Sequence, residues 1–201
     1  MFKQHPIIIP KSKSQARVSP IIKAYIFSEA FLWSGWNLVI PIAALFVAAH
    51  VKGGNIEVAA TGYSIHLTLR VILELISGKY LSKSTDRHKL YAASTGAILV
   101  SIALFLFAFS YTIPMLYFSF AVGGLGFGIG APAKNALFSI HIDKDQETTE
   151  WGIADGVTFI SMALATALGG FIATQFGFQL LFLIAGSVSL LACIPYIINL
   201  V

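Results

Sequence analysis

Long apolar runs alternate with short polar breaks along the whole chain. Six of these runs are about twenty residues or longer, near positions 21–49, 56–81, 90–109, 114–140, 151–174 and 178–200. At 1.5 Å per residue, about twenty residues match the roughly 30 Å hydrocarbon core of a bilayer. Backbone in lipid must satisfy its own hydrogen bonds, so each run predicts a helix. Pro20 stands where the first helix begins, and Pro41 predicts a kink within it. The expected fold is all-α, with six membrane-spanning helices in one domain, residues 21–201, after an N-terminal segment, residues 1–20.

Composition agrees. Hydrophobic residues make up 57% of the 201 residues and charged residues only 11%. A soluble domain carries about 25% charged residues. The first run contains Glu29 and is too long for the core of a cleavable signal peptide, so none is expected. The lone Cys193 has no partner for an internal disulfide and reads as a small buried hydrophobe.

The net charge of +4 is unevenly placed. Lys3, Lys11, Lys13, Arg17 and Lys23 precede or open the first run. Lys79, Lys83, Arg87 and Lys89 surround the break after the second, and Lys144 lies in the break after the fourth. The three other breaks hold only Lys52. The positive-inside rule then puts both termini in the cytoplasm of a cell with the chain in its inner membrane. The basic charge is an orientation signal aided by anionic lipid, and nucleic acid is not an expected partner.

Ionisable groups inside the runs carry the functional question. His66, Arg70 and Glu74 fall within an arc of about 80° on one helix face. A charge at mid-bilayer costs roughly 2.5–3.5 kcal/mol on insertion scales, so this face must meet protein or water. Arg70 and Glu74 are spaced for an ion pair, which is either a structural element or part of a polar cavity wall. Glu29, Trp33, Trp36 and Asn37 share a face of the first run. Glu29 has no nearby cation in sequence, so its partner is expected from another span, with Arg70 and His66 the obvious candidates. A carboxylate among aromatic rings suits a cationic or amphipathic substrate, although tryptophans also serve as packing and as interface anchors.

The fourth run, "GGLGFGIGAPAKNALF", puts small residues on two sides: Gly124, Gly128 and Ala131 on one, Gly123, Gly126 and Gly130 near the other. Such residues let helices approach closely in lipid, so this helix is expected at the centre of the bundle. Ser161, Ala165, Gly169 and Ala173 form a similar stripe on the fifth. No P-loop, EF-hand loop, GxSxG elbow or HExxH motif is present, and no metal cluster or cofactor site is expected. No enzyme is expected either.

The break after the second run reads "GKYLSKSTDRHK", from Gly78 to Lys89. It resembles the Gly-x-Leu-x-Asp-Arg-x-Gly-Arg-Lys motif of the major facilitator superfamily, with Ser82 where that acid stands and Asp86 later. "ALGGFIATQFGFQLLF" is similar to the superfamily's pattern at spans five and six. Ala167-Leu168 stands where the antiporters have Gly-Pro, and the fourth span lacks the arginine typical of proton-coupled drug antiporters; Lys134 sits further along and is no evident substitute for it. "FLWSGWNLVIPI" and "HIDKDQETTEWGI" resemble short, six-span members. The resemblance covers essentially the whole chain. It implies two inverted three-helix repeats, equivalent to half of a major facilitator fold, and alternating access between two such halves.

What the resemblance implies for function is a secondary transporter of a small molecule, surrounded by membrane lipid. The missing half would be a second copy of the chain or a second six-span chain. Glu29, Trp33, Trp36, Asn37, His66 and Arg70 would line the path, with Glu29 or Glu74 the proton-coupling carboxylate. Gly78, Lys83, Asp86, Arg87, Lys89, Lys134 and Asp155 would form a cytoplasmic gate, Asp155 pairing with one of its bases. The alternative is a non-transporting assembly protein, scaffold or receptor that keeps the half-fold.

Overall fold

The structure is a computed structural model, and it describes residues 19–200. The basic segment with Lys3, Lys11, Lys13 and Arg17 lies outside the described residues. Six helices are long and apolar enough to cross a membrane: Pro20–His50, Ile56–Leu81, Asp86–Phe107, Ile113–His141, Glu147–Phe176 and Phe178–Ile198. They are spans one to six below. Spans three and five begin at Asp86 and Glu147 rather than near 90 and 151. Asp86, Glu147 and Glu150 occupy the first turns, where a carboxylate favours the positive end of the helix dipole. Sequence hydropathy alone does not register this.

Span one is interrupted where Pro41 predicts it. A 3-10 turn at Ile40–Ile42 joins an α-helix over Pro20–Val39 to another over Ala43–His50. Span two starts cleanly because the Asn55 side chain accepts the Val58 N–H at 2.8 Å. Gly177, at φ 86°, turns the chain from span five into span six. Span six also breaks, between Leu191 and Ile194, before Pro195. At this break Cys193 is buried, as expected.

Span four is central on one side of the bundle. It packs against spans two and three, while span one packs against spans five and six. Span three also packs on span six, and span one touches span four. These principal pairings are unchanged when one, two and three are exchanged with four, five and six. The glycines set them. A Cβ on Gly124 would lie 2.4 Å from the His66 carbonyl oxygen of span two, and one on Gly96 of span three would lie 2.6 Å from Gly130 Cα. Neither position has room for a side chain, so backbone meets backbone on both flanks of span four.

Pro132 lies inside span four. Lacking an N–H, it cannot bond the Gly128 carbonyl four residues before it. Ser77 Oγ of span two donates to that carbonyl at 2.7 Å, with the Leu73 carbonyl as a second acceptor at 2.6 Å. At the end of the bundle opposite Pro20, the Lys52 N–H donates to the Tyr111 carbonyl at 2.9 Å, tying two connections together.

Spans two and five are the peripheral pair. Only 17% of their most apolar stretch is buried, against 56% in spans three and four. Leu75, Ile76 and Tyr80 of span two and Phe159, Ile160 and Leu164 of span five are exposed.

Candidate functional site

The bundle centre is charged. Glu29 of span one and Lys134 of span four form a buried ion pair through Glu29 Oε1 and Lys134 Nζ. The two residues are 7% and 5% exposed. Glu29 lies about 14 Å into span one, and Lys134 about 10 Å from the end of span four, at 1.5 Å per residue. Both therefore sit inside the apolar thickness. Trp33, one turn beyond Glu29, donates its indole N–H to Glu29 Oε2 at 3.1 Å. Asn37 Nδ2 donates to the Trp33 carbonyl at 2.9 Å. Both carboxylate oxygens are thus satisfied, which a buried charge requires.

This corrects the pairing expected from sequence. Neither Arg70 nor His66 meets Glu29. Lys134 leaves the expected gate for the core and does not pair with Asp155. Asp155 is exposed, and it makes no salt bridge among the described residues. The partner was visible as the only Lys or Arg within the fourth apolar run. The register that brings it to Glu29 was not.

Above the ion pair stands an aromatic wall. The Trp36 ring stacks on His66 at 4.8 Å between centroids, and His66 stacks on Tyr63 at 5.6 Å. Phe127 of span four meets Trp33 at 5.3 Å, Trp36 at 5.1 Å and His66 at 5.6 Å. Trp36 and His66 are 3% and 1% exposed, so they form the buried layer of the wall. Trp33, Asn37 and Arg70 are half-buried, and Tyr63 is exposed. Tyr63 and Phe127 were not singled out in the sequence, since an aromatic in an apolar run has no distinguishing spacing.

Arg70 donates to Glu74 Oε1 at 3.2 Å, the pairing their spacing allows. The Arg70 guanidinium also lies 5.1 Å from the centre of the Phe127 ring. The pair is 28% and 32% exposed, so it belongs to the rim of the bundle.

Of the expected gate residues, Asp86 and Lys89 form a second cluster with Ser84 and His141. Lys89 is buried, and its ammonium donates to the Ser84 carbonyl at 2.9 Å and to Asp86 at 3.3 Å. Asp86 also reaches His141, the last residue of span four, at 3.5 Å. Arg87 is exposed and donates to the Tyr91 hydroxyl at 3.4 Å. Lys83 is exposed and in no ion pair among the described residues. Gly78 faces Pro132 of span four with ordinary clearance.

A bundle of six helices long and apolar enough to cross a membrane, with a buried ion pair among them, defines a polytopic membrane protein. The sequence profile of the Major Facilitator Superfamily matches residues 25–200, and the chain belongs to that family. It is 26% identical over 142 residues to a protein of Staphylococcus saprophyticus named "Proton-coupled antiporter flippase LtaA". It is 28% identical over 142 residues to the protein of the same name from Staphylococcus aureus strain USA300. Each match covers 69% of this chain and 34% of the relative. A "Bacillibactin exporter" of Bacillus subtilis strain 168 is 29% identical over 89 residues, 44% of this chain and 22% of the relative. The matches span about a third or less of each relative's length.

Proposed function

We propose that this chain supplies one six-span half of a secondary carrier that moves a small cationic or amphipathic molecule by alternating access. The observation that carries the reading is the buried Glu29–Lys134 pair beneath the Trp33–Trp36–Phe127 wall, at the contact of spans one and four. A carboxylate in that place can exchange a proton for a substrate charge, because neutralising it changes the electrostatics of the whole centre. Glu29 is the proton-coupling group, and Glu74, paired with Arg70 at the rim, is the runner-up. Trp33, Asn37 and Arg70 meet substrate at the exposed edge of the wall, and Trp36 and His66 hold it from behind. The names of the relatives, an antiporter flippase and an exporter, support a proton-linked export direction.

The second half is another copy of this chain, a second six-span chain or further polypeptide of a longer protein. The basic end, with Lys83, Asp86, Arg87 and Lys89, faces the cytoplasm and gates against that half, and both termini lie on the same side. Membrane lipid surrounds the bundle, which sits in the cell membrane.

The test uses proteoliposomes with an imposed pH gradient and ethidium as the cationic probe. Wild-type protein is expected to move ethidium, and Glu29→Gln to lose at least tenfold in rate while keeping its native elution volume. Full activity in Glu29→Gln would remove Glu29 from the mechanism. A non-transporting scaffold is favoured by one feature, the completeness of the hydrogen bonding around Glu29. It predicts no gradient-driven movement in any variant.

A further inference from the structure

A small cavity lies beside the ion pair, on the side of Lys134 away from span two. Its room for the centre of a water is about 10 Å³, and a site needs roughly 10–15 Å³ measured this way to hold one. Lys134 lines it together with Ser28 of span one and Tyr196 of span six. Gly96 of span three and Gly126 and Gly130 of span four also line it, where the backbones of these two spans meet closely. The Ser28 and Tyr196 hydroxyls are each buried, at 1% exposure; they lie close to each other, and neither has a well-formed hydrogen bond to any group among the described residues. Two hydroxyls with no well-formed partner and an ammonium around a water-sized space are unfavourable in a membrane interior, where no bulk water reaches them.

We propose that this cavity is a hydrated second seat for the Lys134 ammonium, with Ser28 and Tyr196 as positioning residues that hold a resident water in it. The inference rests on Glu29 being the coupling carboxylate. When Glu29 is ionised, Lys134 bonds to it directly. When Glu29 takes a proton, the ammonium loses its counter-charge in a dry interior. The water, the Ser28 Oγ and the Tyr196 hydroxyl then offer it oxygen acceptors without moving a helix. The seat lowers the free energy of the centre when Glu29 carries a proton. The other titratable groups near Glu29 leave this geometry intact. Tyr25 of span one donates to Asn135 at 3.3 Å, and Asp155 of span five is exposed. The cavity wall from span three is uncharged.

The test has two readouts on the full chain in nanodiscs. In radiolytic footprinting, a resident water should let Tyr196 be labelled by oxidation, while the equally buried Phe138 stays unmodified. In infrared titration, the Glu29 carboxyl band is assigned by its loss in Glu29→Gln. Its midpoint should fall by about one pH unit, a tenfold change, in Tyr196→Phe and in Ser28→Ala, because each removes an acceptor for a charged donor. Tyr196→Phe keeps the ring that packs the site, and Ser28→Ala alters a different helix, so folding and seating can be separated. An unlabelled Tyr196 overturns the proposal. So does a midpoint that stays or rises in the doubly substituted protein. If Glu29→Gln transports normally while Tyr196 is labelled and the midpoint falls, the coupling role of Glu29 fails and the hydrated seat stands.

Discussion

Glu29 and Lys134 depend on each other because neither has another countercharge among the described residues. Removing one partner from a buried pair costs about 3–5 kcal/mol, whereas replacing both by neutral residues of similar volume is often close to neutral. Lys134→Met alone is therefore expected to lower the melting temperature clearly in nanodiscs, read by tryptophan fluorescence. Adding Glu29→Gln to it should recover most of that loss without recovering transport. A double variant as unstable as the single one would show that the two side chains act separately. That Glu29 needed a partner from another span was legible in the sequence. Its identity was not, since the pattern on each helix gives the face of a residue but not its height against a neighbour. That height is set across several helices, by close contacts such as Gly35 of span one on Ala185 of span six and Gly96 of span three on Gly130 of span four.

At the scale of the element, proline and hydroxyl are linked across two helices. Pro41 was readable as an interruption because its effect stays within span one. Pro132 stands as plainly in span four, but what it releases is the Gly128 carbonyl, and what meets that carbonyl is Ser77 of span two. No pattern within either run pairs a serine with a proline 55 residues later. Ser77→Ala should cost about 1–3 kcal/mol, the penalty for an unmet buried acceptor. Ser64→Ala, whose hydroxyl bonds only the Ala60 carbonyl of its own helix, should stay within about 0.5 kcal/mol of wild type. Equal losses at both positions, measured by thermal unfolding, would count against the inter-helix role of Ser77. The central place of span four was legible for a simpler reason: small residues on two faces mean two close neighbours.

Across the whole molecule, spans two and five present wide apolar faces, and Arg70 and Glu74 stand half-exposed at the rim. Charges there are easier to keep against another protein surface than against lipid. Reconstituted protein is expected to run as a dimer by native mass spectrometry, twice the 21.6 kDa of the chain. An isologous pair would bring each rim residue toward its own copy or its neighbour's partner. A strictly monomeric mass would mean that this chain alone does not make a carrier.

The buried thiol of Cys193 has a practical side. It is the only cysteine in the chain and is 6% exposed, so thiol reagents meet a silent background. A single cysteine introduced by Tyr80→Cys, on a residue 74% exposed, becomes the only address that a spin label or cross-linker can use. Its distance to its own twin would then report the geometry of a pair of chains without any prior removal of native cysteines.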